Sequence, residues 1–142
     1  MRAFVYIGAP GAGKTTHAAN LAKTENAVVI SADDLRIEHG EDADLWGCVG
    51  DSVAEVAGCN VVLDGTHCLR TDRQAAFALL KSFGYEIVEA VVVNPSLETC
   101  LKRNSSRPEQ VPEYGIRELH ESLQHSLKTI ITEPWTHIHF VC

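Results

Sequence analysis

Gly8-Ala9-Pro10-Gly11-Ala12-Gly13-Lys14-Thr15 is the stretch that decides how the rest of the chain reads. It follows the pattern G-x-x-x-x-G-K-T, the P-loop or Walker A motif. An apolar, β-prone run, Ala3-Phe4-Val5-Tyr6-Ile7, leads into it, and a helical pattern from Thr15 to Lys23 leads out. Strand, glycine-rich turn and helix are the order a phosphate cradle needs. The glycines let backbone N–H groups turn inward on a polyphosphate, and the helix N-terminus adds the positive end of its dipole. Lys14 is placed to reach the β- and γ-phosphates, and the Thr15 hydroxyl to ligate Mg²⁺. Gly8, Pro10, Gly11, Ala12, Gly13, Lys14, Thr15 and Thr16 are the candidate nucleotide contacts.

Working outward, the 142 residues amount to one ordinary domain, 1–142, and 45% hydrophobic residues suffice for its core. No apolar run approaches bilayer-spanning length, and Met1-Arg2-Ala3-Phe4 enters a strand without the basic and apolar regions of a signal peptide. Cys48, Cys59, Cys68, Cys100 and Cys142 are odd in number and lack C-x-x-C spacing. Reduced thiols and a cytoplasmic setting are expected, rather than a disulfide framework or a zinc site. The net charge of −7 argues against a large nucleic-acid footprint, although a local basic groove can coexist with an acidic exterior.

Alternating strand and helix patterns continue along the chain. Ala27-Val28-Val29-Ile30-Ser31 reads as a short buried strand, and Asp42 to Ala57 as a helix stopped by Gly58. Asn60-Val61-Val62-Leu63-Asp64 is a third strand. Thr71 and Gln74 resemble a capping box opening a helix that ends near Phe83-Gly84. Glu86 to Val93 is a strand, and Ser96 caps a helix to about Asn104. A polar loop follows to Pro112, then a long helix from Glu113 to about Ile131, and Thr136 to Val141 alternates as a last strand. Such alternation predicts an α/β domain: a five-stranded, mostly parallel sheet with helices on both faces, and a short lid at about 103–112.

Three further clusters carry chemistry. Asp33-Asp34-Leu35-Arg36 lies just past the second strand, where ligands of open α/β sheets collect. A kinase acting on a hydroxyl needs a carboxylate to accept its proton and benefits from a cation that positions the acceptor, roles open to Asp33 and Arg36. A plainer reading is a helix cap, by Ser31 or Asp33, with a surface arginine. Asp64-Gly65-Thr66-His67 closes the third strand, expected beside the P-loop strand. There Asp64 would hold a Mg²⁺-bound water, Thr66 and His67 would touch an acceptor, or Asp64 would merely cap a turn. Lys102-Arg103-Asn104-Ser105-Ser106-Arg107 is a basic run at a helix end. Its cations would close over phosphates; complementing the helix C-terminus explains Lys102 but not Arg107. His137 and His139 read as surface histidines, Trp46 and Trp135 as packing, and Cys48, Cys59 and Cys100 as core.

Taken together, Gly-x-Pro-Gly-x-Gly-Lys-Thr, Ser31-x-Asp33-Asp34-x-Arg36, Asp64-x-Thr66-His67 and Lys102-Arg103-Asn104-Ser105-x-Arg107 followed by Val111-Pro112 resemble the kinase domain of phage-type 5′-hydroxyl polynucleotide kinases. The resemblance implies the P-loop kinase fold and transfer of the γ-phosphate of ATP, with Mg²⁺, to the 5′-hydroxyl end of DNA or RNA. By position it makes Asp33 the general base and Arg36 the contact to the acceptor's 3′-phosphate. Asp34, Thr66 and His67 fall on the acceptor side, and Arg103 and Arg107 over the phosphates. His67 departs from the asparagine typical of the family. The length leaves no room for the phosphatase domain some members carry, so 3′-phosphate removal is not expected. Kinase action on a small-molecule hydroxyl (nucleoside, sugar or antibiotic) and a non-catalytic nucleotide-binding module are the alternatives. No membrane or protein partner is expected, and the cytoplasm, of a host cell if the gene is phage-borne, is the expected place.

Overall fold

The apolar runs become five strands. In the computed structural model, which describes residues 1–141, the order is β1 (Arg2–Ile7), α1 (Lys14–Glu25), β2 (Ala27–Ser31), α2 (Ala32–His39), α3 (Leu45–Glu55), β3 (Asn60–Asp64), α4 (Arg70–Ser82), β4 (Ile87–Val93), α5 (Leu97–Ser105), α6 (Glu113–Ile130) and β5 (His137–Val141). Cys142, one of the five cysteines, lies outside the described residues. The strands form one sheet in the order β2-β3-β1-β4-β5, and every pairing is parallel.

Strand periodicity divides the core between the two faces. Ala3, Val5 and Ile7 of β1 face the cluster completed by Val49 and Val53 of α3, Ala76 and Leu80 of α4, and Leu123 and Ile130 of α6. Phe4 and Tyr6 face the other way, against Ala18 and Ala22 of α1 and Cys100 of α5. Each large aliphatic side chain removed from water there stabilises by about 1.5–3 kcal/mol. Helices thus cover both faces, as the alternating pattern predicts.

Register is what positions the site. Ser31 of β2 lies opposite Asp64 of β3, and Val5 of β1 opposite Leu63, so three strands end at one level. The chain after β1, β2 and β3 therefore emerges on the same edge of the sheet, where ligands of such sheets bind.

Several local readings change. Residues 32–39 form a helix the apolar pattern does not announce; the Ser31 hydroxyl caps it by accepting from the Asp34 N–H at 3.3 Å. Helix α3 starts at Leu45 rather than Asp42, because the Asp44 carboxylate accepts from the Gly47 N–H at 3.1 Å. The Thr71–Gln74 capping box does not form. Helix α4 begins two residues earlier, at Arg70, with Leu69 at the cap in place of Thr71 and no side-chain bond there. Ser96 caps α5 as expected, accepting from the Thr99 N–H. Cys100 is core and Cys48 half-buried against it, but Cys59 is exposed, since it sits in the turn after α3 rather than on a strand face. Trp135 packs edge-on against Phe77. Among the described residues no helix is long and apolar enough to cross a membrane.

Candidate active site

The glycine-rich loop closes because two of its residues adopt backbone that only glycine takes without strain: Gly11 has φ +82° and Gly13 φ +93°. A Cβ on Gly11 would run into the Cys100 carbonyl, and one on Gly13 would lie 3.0 Å from the Arg103 guanidinium. The loop is tied on both flanks. The Gly8 N–H donates to the Thr66 carbonyl at 2.9 Å, and Arg103 Nη1 donates to the Ala12 carbonyl at 2.9 Å. Gly13 caps α1 without a side-chain bond, which leaves first-turn N–H groups facing the loop.

Lys14 is only 9% exposed, and its ammonium donates to one partner, the Ala9 carbonyl, at 3.1 Å. An ammonium has three donors, so two are unused. Burial pushes its pKa down, with Asp64 opposing. Asp64, also buried, accepts from the Thr15 hydroxyl at 2.9 Å. Burial pushes its carboxyl up, countered by the Thr15 bond and the Lys14 charge. An under-partnered cation beside free helix N–H groups is the donor set a polyphosphate requires, so the residues fit ATP. Among the described residues no group of three or more His, Cys, Asp or Glu is arranged to hold a metal. The Thr15 hydroxyl and Asp64 carboxylate, oxygen donors 2.9 Å apart, suit Mg²⁺, which is commonly bound by one or two carboxylates together with waters and substrate phosphates.

A cleft of about 310 Å³ opens here, lined by Gly11, Gly13, Lys14, Thr15, Thr16, Asp33, Asp64, Thr66, Arg103 and Arg107. Three sequence clusters thus meet in one space. Asp33 sits in the first turn of α2, and its Oδ1 pairs with Arg36 Nη1 at 3.3 Å. Arg36 itself lines an adjoining cavity. Asp34 is not brought in; it borders a separate hollow against β2 and α3.

Two braces have roles the motifs do not announce, although Asn104 and Val111 stand within the quoted basic run and its sequel. The first is Arg73 of α4, fully buried although charged. Its Nε and Nη2 donate to the Glu133 carboxylate at 2.9 Å each, and its Nη1 donates to the carbonyls of His67 at 3.1 Å and Cys68 at 2.9 Å. The turn carrying Thr66 and His67 is thereby nailed to α4. The signal was an arginine three and seven residues before buried Ala76 and Leu80, on the apolar side of its helix. The second is Asn104, whose side chain donates to the Val111 carbonyl at 2.8 Å and accepts from the Val111 N–H at 3.0 Å. That clamp closes the loop from which Arg107 enters the cleft.

The His67 ring is buried rather than free in a channel. Its Nδ1 donates to the Tyr6 carbonyl at 2.7 Å, and burial lowers its pKa. His139 is held by Glu89 at 2.8 Å, and His137 is exposed, so neither reaches the cleft.

The profile of the AAA domain family matches residues 4–129. The chain belongs to the AAA domain family. No curated protein matches this family member in sequence. Among solved structures, a chain of the Pnkp1/Rnl/Hen1 RNA repair complex matches with a TM-score of 0.78 at 23% identity, over 91% of this chain and 46% of that one. The present chain thus spans about half the length of that protein. A gluconokinase from Sinorhizobium meliloti 1021 matches at TM-score 0.67 and 16% identity, over 99% of this chain and 82% of its own. A deoxyadenosine kinase from M. mycoides with bound dATP matches at TM-score 0.60 and 12% identity, over 99% and 90%. The fold of this AAA domain protein is that of a P-loop kinase, similar to that of the matched chain of the RNA repair complex.

Proposed function

We propose that this protein transfers the γ-phosphate of ATP to the 5′-hydroxyl end of a polynucleotide. The observation that carries the reading is the meeting, in one cleft, of the phosphate cradle with the Asp33 carboxylate and the Arg107 guanidinium. The acceptor oxygen would form its bond to the γ-phosphorus as the bond to the β–γ bridging oxygen breaks and ADP departs. The hydroxyl proton passes to Asp33, whose Oδ2 has no protein partner among the described contacts. Lys14, Arg103 and Arg107 offset charge on the transferring group, work that is electrostatic and positional rather than covalent. Thr15 and Asp64 would hold Mg²⁺, which when bound neutralises phosphate charge.

Arg36, in the wall of the adjoining cavity and paired to Asp33, would contact a phosphate next to the reacting hydroxyl. The likeness to a chain of an RNA repair complex supports a strand end as the acceptor. The net charge of −7 does not exclude such a substrate, since an end needs few phosphate contacts. One observation favours a second reading, a small-molecule hydroxyl: the gluconokinase and deoxyadenosine kinase match over nearly their whole lengths.

The test is transfer from labelled ATP to a 5′-hydroxyl oligonucleotide beside gluconate and deoxyadenosine. Label on the oligonucleotide, lost in Asp33→Asn, supports the proposal. Label only on a small molecule establishes the second reading. ATP binding without transfer to anything makes the chain a non-catalytic module.

A further inference from the structure

A second, narrower cavity adjoins the phosphate cleft, and the chemistry above makes no use of its interior. Trp46 and Val49 of α3 wall it on one side and the Thr66–His67 turn on the other, with Leu63 between and Arg36 in its wall. It shares Asp64, Gly65 and Thr66 with the cleft, so the two spaces join at the acceptor end. Its volume of about 40 Å³ corresponds to about three waters, which admits the edge of a flat ring and no bulky group.

The walls are specific in chemistry. The rings of Trp46 and His67 lie 6.1 Å apart at 41°. His67 is a non-glycine residue at φ +44°, held by the Tyr6 carbonyl on its ring and by Arg73 on its own carbonyl. Backbone so placed is strained and persists only where its surroundings fix it, a condition that gathers at ligand sites. Because a carbonyl only accepts, Nδ1 of His67 carries the proton, which leaves Nε2 an acceptor without a side-chain partner among the described residues. Asp72 supplies another acceptor in the wall. An aromatic wall, an apolar floor and acceptors meeting the ring edge suit a planar heterocycle bearing N–H groups. A sugar acid would give the indole no ring face to stack on and bring its own acceptors against Asp72.

We propose that this cavity receives the edge of the nucleobase of the acceptor's terminal nucleotide, with Trp46 as the aromatic wall beside it. The assignment rests on the kinase reading above and names the acceptor class of that site.

The experiment compares two 5′-hydroxyl oligonucleotides that differ only in the first residue, deoxyadenosine or an abasic tetrahydrofuran. Wild type should favour the base-bearing end in kcat/KM by about 5- to 150-fold, the span of base–aromatic stacking. Trp46→Phe should keep the preference and Trp46→Ala should bring the ratio near one. Because Trp46 also packs on the core, circular dichroism accompanies each variant, and Trp46→Leu replaces Trp46→Ala if the latter unfolds. No preference in wild type, or an unchanged ratio in the folded aliphatic variant, overturns the proposal. If wild type phosphorylates neither oligonucleotide, the polynucleotide reading fails on its own. Calorimetry with deoxyadenosine then decides the cavity: binding to wild type that Trp46→Ala or its replacement loses upholds it, and absent or unaltered binding overturns it.

Discussion

Replacing Arg73 separates the parts its guanidinium plays. The side chain is 0% exposed and its carboxylate partner Glu133 5% exposed. Removing one member of such a pair strands the other charge and costs about 3–5 kcal/mol. The carbonyls of His67 and Cys68 lose their donor as well, at about 1–3 kcal/mol each where no water reaches them. Set against a total stability of about 5–15 kcal/mol, Arg73→Met sits near the edge of folding, and its Tm should fall by at least about 10 °C. The informative variant is Arg73→Met with Glu133→Gln. It discharges the pair while the glutamine oxygen still accepts from the Trp135 indole, a bond of 3.1 Å in the native protein. Most of the lost Tm should return, because neutralising both members removes the stranded charge. The brace on His67 does not return, since methionine donates nothing. Thermal melts and steady-state transfer read the two effects separately: Tm recovers, whereas KM for the acceptor stays several-fold raised and KM for ATP stays near the native value. Recovery of acceptor KM together with Tm would refute the bracing role. A Tm for Arg73→Met within about 2 °C of native would refute the energetic argument itself.

The remaining predictions follow from the other buried groups. Asn104→Ala breaks both bonds to Val111 and should lower stability by about 1–2 kcal/mol in a melt; because Arg107 leaves its place, kcat should drop at least ten-fold while circular dichroism is unchanged. Lys14→Met should abolish transfer and ATP-induced thermal stabilisation, yet raise the ligand-free Tm by a few degrees, since burial disfavours the lysine charge it removes. Burial pushes the Glu89 carboxyl up, but hydrogen bonds from His139 and Arg2 outweigh it and hold the pKa below its ordinary 4.5. Its contribution to stability is therefore complete above that value and lost as pH falls through the lower, folded pKa. Melts from pH 6 down to pH 3 should decline less steeply for Glu89→Gln than for the native protein.

What was legible in the sequence shares a physical origin. The strands showed as apolar runs because both sheet faces are covered, so every residue from Ala3 to Ile7 is buried. The cradle showed because positive φ at Gly11 and Gly13 leaves little choice of residue. Helix α2 did not show, because exposed Asp33, Asp34, Arg36 and Ile37 leave only Ala32 and Leu35 to mark its buried side. The capping box at Thr71 failed because local cap chemistry is worth about 1 kcal/mol and tertiary fixing of Arg73 outweighs it. Register also stayed hidden: nothing in either strand says that Ser31 faces Asp64, yet that pairing sets Asp33 at the edge of the cleft.

The buried polar side chains divide by how well they are satisfied, and the division separates scaffold from site. Arg73, Glu89 and Asn104 are each matched by strong partners: a carboxylate with two carbonyls, a guanidinium with an imidazole, and both backbone groups of Val111. Lys14 and Asp64 are not. One carbonyl and one hydroxyl are their direct partners, and burial drives both toward their neutral forms. A fold selected for stability alone would have replaced or paired them, since an uncompensated buried charge is among the costliest features a core can hold. Both line the same cleft, where under the proposed function a polyphosphate would supply the anion Lys14 lacks and a divalent cation the charge Asp64 lacks. Binding at a hundred times Kd returns about 2.7 kcal/mol to the folded state, comparable with what such a site withholds from the empty protein. The deficit is thus confined to the loop and strand end that line the cleft, while the braces behind them are satisfied by protein partners alone.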